Sequence, residues 1–213
     1  MKKVGFLLSL LFLCSTLGAQ HMKDVFLNMP DSITPLLSAV NKADFIDFLD
    51  SKMKAEVKNS LGGDSEMQVL SDDYTRIQMT KNSSWQMKIL PFKEAYILGV
   101  IQTVKGPVEN SCITFYDSEW KPLDVADFVA SPRASDFLNL AEFESSTSDT
   151  KYIDLKGLDM SLIRFDFAVD QPILVATYTT PEYLDEPMQK QVKPFLKPTL
   201  SYLWNGTVLE IIK

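Results

Sequence analysis

From residue 67 onward the chain is dominated by short runs in which apolar and polar residues alternate, and that period of two predicts strands. Residues 67–70, 74–80, 85–90, 96–104 and 111–116 are such runs, separated by polar or Gly/Pro punctuation. Asp117-Ser118-Glu119 predicts a tight turn, with residues 120–123 returning along the preceding strand. A second set follows at 152–155, 162–169, 173–180 and 199–204. Asn205-Gly206 is the strongest turn signal and predicts a two-residue type I′ hairpin into 207–212. Helical spacing precedes each set. Pro30-Asp31-Ser32 has the form of a helix cap, with Leu36, Leu37 and Val40 on one face. A break near Asn41 leads to a second helix striped by Phe45, Ile46, Phe48, Leu49 and Met53, with Asp44, Asp47 and Asp50 on its solvated side. Gly62-Gly63 ends that region, and another helical patch covers 125–140, interrupted by Pro132.

This order occurs twice, so the pattern predicts an internal duplication. With residues 85–104 laid on 161–180, Met87 meets Ile163, Lys88 meets Arg164 and Ile97-Leu98 meets Ile173-Leu174. Past an insertion, Ile113-Thr114-Phe115 meets Leu200-Ser201-Tyr202, and upstream Asp44-Phe45-Ile46 meets Asp136-Phe137-Leu138. The expected fold is α+β: two related units, residues 20–124 and 125–213, each a helix or helix pair packed on an antiparallel sheet of about four strands. The opposite faces of the two sheets, left open, would form a broad concave surface.

The first nineteen residues change the picture. Lys2 and Lys3, the apolar run 4–13 and the small residues before Gln20 predict a signal peptide cut after Ala19. A membrane anchor needs a longer apolar run of roughly 18 residues. Lipoprotein processing at Cys14 wants a small residue where Leu13 stands. Cleavage removes two Lys and no acid, so a net charge of −7 becomes −9. That acidity argues against a nucleic-acid partner held by a basic surface. No later stretch is long enough to span a membrane, so the mature chain is expected in the periplasm or outside the cell.

One His and two Cys narrow the chemistry further. They leave no zinc-finger pattern and only His21, in an expected tail, for a Ser-His or Cys-His centre. Cys112, the one thiol of the mature chain, lies in an alternating run where a buried, inert thiol is expected; a reactive one would want a cationic neighbourhood that the near sequence lacks. No phosphate loop, GxSxG or EF-hand pattern occurs, and neither metal nor cofactor is expected. For a carboxylate-dependent hydrolase the candidates are Asp72-Asp73 and Glu142 with Glu144, although adjacent acids in a strand point to opposite faces.

Two features are candidates for partner binding. The segment 181–198 holds four of the eleven Pro, and its Lys190, Lys193 and Lys197 form the one concentrated basic patch; it is either a binding loop or a solvated crossover. Tyr116, Trp120, Tyr178 and Trp204 fall on strands or beside turns, as contact residues or as core.

Phe26 to Ser32 (FLNMPDS), Asp44-Phe45-Ile46-Asp47-Phe48, residues 53–61, Met87-Lys88-Ile89-Leu90-Pro91 and the Phe115-Tyr116…Trp120-Lys121-Pro122-Leu123 pattern together resemble an uncharacterised exported family of Bacteroidales, domain of unknown function 3256. The resemblance spans nearly the whole mature chain. It implies a Gram-negative source and a periplasmic or surface location, and brings no activity and no functional residues. A looser architectural likeness is to the tandem-repeat β-lactamase inhibitory proteins, which bind partners on a concave sheet. Asp31-Ser32-Ile33 resembles the O-glycosylation sequon of exported Bacteroidetes proteins, and Asn82-Ser83-Ser84 and Asn205-Gly206-Thr207 fit the N-glycosylation pattern. The expected function is that of a non-enzymatic envelope protein binding a protein, peptide or glycan. The alternatives are a glycan hydrolase and a structural subunit of a larger assembly.

Overall fold

The computed structural model describes residues 22–139, 142, 160–197 and 199–212. The predicted signal peptide and the predicted strand 152–155 lie outside them. The fold mixes helix and strand but is dominated by strands. Seven form one antiparallel sheet in chain order: β1 (Glu56–Lys58), β2 (Asp64–Leu70), β3 (Tyr74–Thr80), β4 (Ser83–Phe92), β5 (Ala95–Lys105), β6 (Glu109–Tyr116) and β7 (Pro122–Leu123). A second antiparallel sheet has the order β11 (Leu209–Ile212), β10 (Thr199–Trp204), β9 (Ile173–Tyr178) and β8 (Ile163–Phe167). The first sheet therefore exceeds the expected four strands. Its β1 escaped detection because only Ala55, Val57 and Asn59 alternate inward over a very short run. No helix among the described residues is long and apolar enough to cross a membrane.

Helix α1 (Met22–Leu27) and helix α2 (Ala39–Asp50) bury Met22, Phe26, Phe45 and Ile46 against Ile77, Trp85, Met87 and Leu98 on one face of the first sheet. The cap signal and apolar spacing predict a helix across residues 30–40 and a break near Asn41. Instead, Ser38 caps α2 by accepting from the Asn41 N–H at 3.1 Å, so Asn41 sits inside the first turn. Residues 30–37, with two prolines, form turns. The buried Lys42 donates to the Met29 carbonyl and lies 3.1 Å from Asp31, which pins this segment to the helix. The predicted helical patch at 125–140 is also absent in its described part: it holds only short 3-10 turns at Val125–Asp127 and Ala134–Phe137. Asn205-Gly206 makes a four-residue loop, because Trp204 pairs with Leu209. The Asn205 carboxamide oxygen accepts from the N–H groups of Thr207 and Val208, closing an Asx turn, and only Gly206 takes positive φ where type I′ needs two such residues.

The other face of the first sheet carries the second. Tyr74, Ile97, Ile101 and Phe115 share a core with Phe165, Phe167, Leu174, Tyr202 and Trp204. Both faces of β4 are thus covered, and residues 85–90 are all buried, including Gln86 and Lys88. Gln86, with Asn110 and Ser111 of β6, closes the free edge of β8, and Lys88 holds the chain just past it. Unpaired edge N–H groups are a liability, and here each outward one is matched: Ile163 donates to Asn110, Phe165 to Ser111 and Phe167 to Gln86, at 3.0–3.1 Å. The Lys88 ammonium donates to the Val169 carbonyl (2.7 Å) and pairs with Asp73 (2.9 Å). Among the described residues the edge strand is sealed by side chains standing on the neighbouring sheet.

Cys112 is exposed, contrary to expectation. Ser111, Ile113 and Phe115 point toward the second sheet, so Cys112 alternates to the opposite face, which the helices do not cover at β6.

Tyr74 lies beside this polar seam, its hydroxyl donating to Gln86 at 3.1 Å. Burial pushes its pKa up to about 12, against the lowering effect of Arg76. The native phenol thus holds its proton where the unfolded chain has lost it. Its contribution to stability is complete below about pH 10 and is lost as pH rises from about 10 to about 12; the shift corresponds to on the order of 2 kcal/mol. Burial raises Tyr96, Tyr116 and Tyr202 in the same direction. In an alkaline titration of tyrosinate absorbance, Tyr74 should ionise last, together with unfolding. A native protein whose seven tyrosines all ionised near pH 10 would refute this.

Candidate functional site

The segment after β9 builds a groove. Pro181 fixes a 3-10 turn at Thr180–Tyr183, and Asp185 then caps α3 (Glu186–Val192) by accepting from the Met188 N–H at 2.9 Å. The Gln189 carboxamide donates back to the Leu184 carbonyl (2.8 Å), tying the helix to the turn before it. Past α3 the chain is stitched to residues 137–139: the Lys197 N–H donates to Phe137 O at 2.8 Å, and the Asn139 N–H to Phe195 O at 3.0 Å. Between these supports lies a groove of about 480 Å³ lined by Thr177, Tyr178, Pro181, Gln189 and Leu196, with Lys193 and Lys197 as its cations and Glu182 as its one carboxylate. Lys193 and Lys197 make no ion pair among the described residues, so their charge is available to a ligand.

The groove continues onto the outer face of the second sheet. Thr177 pairs with Arg164 and Thr199, which places all three on the face turned away from the core. Val175 with Ser201, then Ile173 with Leu203, extend that face, and Leu203 and Ile212 are about two-fifths exposed. Among the described residues the first sheet is covered on both faces along β3–β5 except near the β3–β4 turn, so the expected concave surface shared by two sheets is not formed.

The predicted contact residues divide. Lys193 and Lys197 line the groove. Lys190, on α3, lies outside its lining and stands 3.8 Å from Glu186. Tyr178 and Trp204 are core residues, 5% and 6% exposed. Tyr178 stacks on Phe137 with ring centroids 5.2 Å apart and also lines the groove. Trp204 donates its indole N–H to the Pro91 carbonyl (2.7 Å) and packs between Phe92 and Phe128. Both stand on the inner face of the second sheet, which the first sheet covers. Tyr116 and Trp120 are half-buried and pack together at 6.0 Å on the helix-side core, which is separate from the core beneath the groove. Trp120 adopts φ +66°, held by its N–H bond to Asp117 O, in the turn that the sequence predicts.

Of the candidate acids, Asp73 is taken by Lys88, Asp72 and Glu142 are exposed, and Glu144 lies outside the described residues. Pro181, Glu182, Gln189 and Leu196 lie in the segment 181–198 that the sequence marks as a candidate binding loop, though the pattern singles out none of the four there and misses Thr177 altogether. Their signal was Thr177 at an outward strand position followed directly by a proline-fixed turn.

A family profile described as "Protein of unknown function (DUF3256)" matches residues 14–209. No curated protein matches the chain. Among solved structures, a domain of an uncharacterized protein from Porphyromonas gingivalis W83 is similar, with a TM-score of 0.74 and 26% identity over 88% of this chain and 97% of that one.

Proposed function

The chain belongs to the DUF3256 family, and we propose that it serves as an exported, non-enzymatic binding protein of the cell envelope that engages a peptide, protein or glycan through the outer face of its second sheet. The groove carries this reading: Tyr178, Pro181 and Leu196 offer apolar contact beside two cations without ion pairs, and its wall at Thr177 runs onto an uncovered sheet face. A partner segment pairing an apolar side chain with a carboxylate fits those features best. Export rests on the charged, apolar and small-residue order of residues 1–19. The reading also keeps two related units. Its support is that β4–β5–β6 and β8–β9–β10 are both antiparallel meanders, although at the alignment used their hairpins differ in register by two residues (Met87 with Val100, Ile163 with Tyr178).

The test is a photo-crosslinking side chain placed at Thr177 and, as control, at Asp47 on α2, in cells that export the protein. A discrete adduct from position 177 alone, lost in the charge-reversed Lys193→Glu/Lys197→Glu variant, is the expected result. Equal adducts from both positions, or none from 177, would sink the proposal.

A further inference from the structure

A second concavity, independent of that groove, lies at the other end of the seam between the sheets. The second sheet covers the face of the first only as far as the Gln86 row. Beyond it, where β3 turns into β4, a cleft of about 300 Å³ remains open. Arg76 and Gln78 of β3, Ser84 of β4 and Thr103 of β5 point into this face because they share its register: Gln78 pairs with Ser84, and Ser84 with Thr103. Lys81 and Lys105 stand at the strand ends, and Glu109 closes the far side.

The cleft concentrates positive charge on a chain whose net charge is −7. Its single carboxylate, Glu109, is already engaged by Arg164 at 2.9 Å. Lys81 and Lys105 make no ion pair among the described residues, and the side chains of Asn82 and Ser84 make no hydrogen bond there. Arg76 is the third cation. Its Nη1 stands 3.7 Å from Asp166, too long for a strong bond, and its side chain is about two-fifths exposed where it lines the cleft. A guanidinium presents paired N–H donors that a carboxylate or phosphate matches with two oxygens.

The lining offers charges, amides and hydroxyls, with no aromatic or long aliphatic side chain to hold an apolar acid. We infer that this cleft binds a small hydroxyl-rich anion, an acidic sugar, whose anionic group sits on the Arg76 guanidinium between Lys81 and Lys105 and whose hydroxyls meet Asn82, Ser84 and the carboxamide oxygen of Gln78. A sugar carboxylate and a sugar phosphate share this chemistry.

The test is titration of nitrogen-15-labelled protein, followed by amide resonances, with glucuronate, glucose 6-phosphate, inorganic phosphate and neutral glucose in separate arms. Resonances of residues 76–84 and 103–109 should move with at least one sugar anion and not with glucose, and the tighter of the two anions identifies the source. Lys81→Gln/Lys105→Gln, at exposed positions, should weaken that binding about tenfold or more. Arg76→Lys keeps the charge, loses the fork and should do the same; if it fails to fold, the lysine pair still decides. No shift with either sugar anion, an equal response to glucose, or unchanged affinity in the lysine variant would overturn the inference. Inorganic phosphate binding as tightly as the sugar anions would overturn the assignment to a sugar.

Discussion

Replacing Gln86 by Leu should cost about 3–5 kcal/mol of stability, although the side chain keeps nearly its shape and an apolar residue enters a buried site. Gln86 is 1% exposed and serves three partners at once. Its carboxamide oxygen accepts from the Tyr74 hydroxyl and the Phe167 N–H, and its nitrogen donates to Asp166. The gain from burying extra apolar surface is on the order of 1–2 kcal/mol. Against it stand a buried edge N–H and a phenol left unmatched, each worth about 1–3 kcal/mol, and a carboxylate that loses a donor. The losses win. For a chain of this size the melting temperature should fall by on the order of 10 °C. Because Phe167 donates from the edge of β8, the same change should speed hydrogen exchange at the Phe167 amide more than at Leu174 in the middle of the second sheet. Denaturant unfolding that showed a loss under 1 kcal/mol would mean that the seam does not hold the two sheets together.

That seam also shows what could and could not be read from the sequence. Period-two alternation located nearly every strand of both sheets, because alternation reports which residues share a face. It does not report what covers that face. On β4 the positions of Gln86 and Lys88 alternate with Trp85, Met87 and Ile89 as polar with apolar, the mark of a strand with one wet side, yet the second sheet covers that side. The same gap put Tyr178 and Trp204 among expected contact residues: they share a strand face with Leu174 and Ala176, and only tertiary packing makes that face the interior. Cys112 is the converse, an apolar residue on a face that no helix among the described residues covers at β6. The helices failed for a local reason. Asp31 and Ser32 carry cap chemistry as good as that of Ser38, and what decides between them is the buried Lys42 drawing the Met29 carbonyl to the helix, a contact thirteen residues apart in the chain. Lys193 and Lys197 were legible as a charge cluster. Arg76, Lys81 and Lys105 were not, since Arg76 lies within β3, Lys81 in the turn after it and Lys105 at the end of β5, and only the sheet register brings them together.

Gly99→Val should rival Gln86→Leu among damaging single changes in the centre of the first sheet. Gly99 lies mid-strand in β5 on the face that receives the second sheet, with no unusual backbone angle to explain it. Its role is close approach. A Cβ built there would lie 2.6 Å from the Phe167 ring and 3.3 Å from that of Phe115. Phe167 is 4% exposed and Phe115 fully buried, so neither ring has room to yield. For Ala the two effects oppose each other. Removing a strand glycine gains about 0.5–1 kcal/mol through the unfolded chain, while overpacking costs about 1–3 kcal/mol, so Gly99→Ala should destabilise by on the order of 1 kcal/mol. Val adds branched bulk at the same contact and should reach or exceed the top of that overpacking range. The cause can be isolated by pairing Gly99→Ala with Phe167→Leu. The smaller side chain alone leaves a cavity and destabilises, but in the Ala background it makes room for the new methyl group. The double variant should then lose at least about 1 kcal/mol less than the two single changes added together, the coupling expected of side chains in direct contact. Strict additivity in that cycle would show that the Phe167 ring is not seated on Gly99, and with it that the second sheet does not dock where the shared core places it.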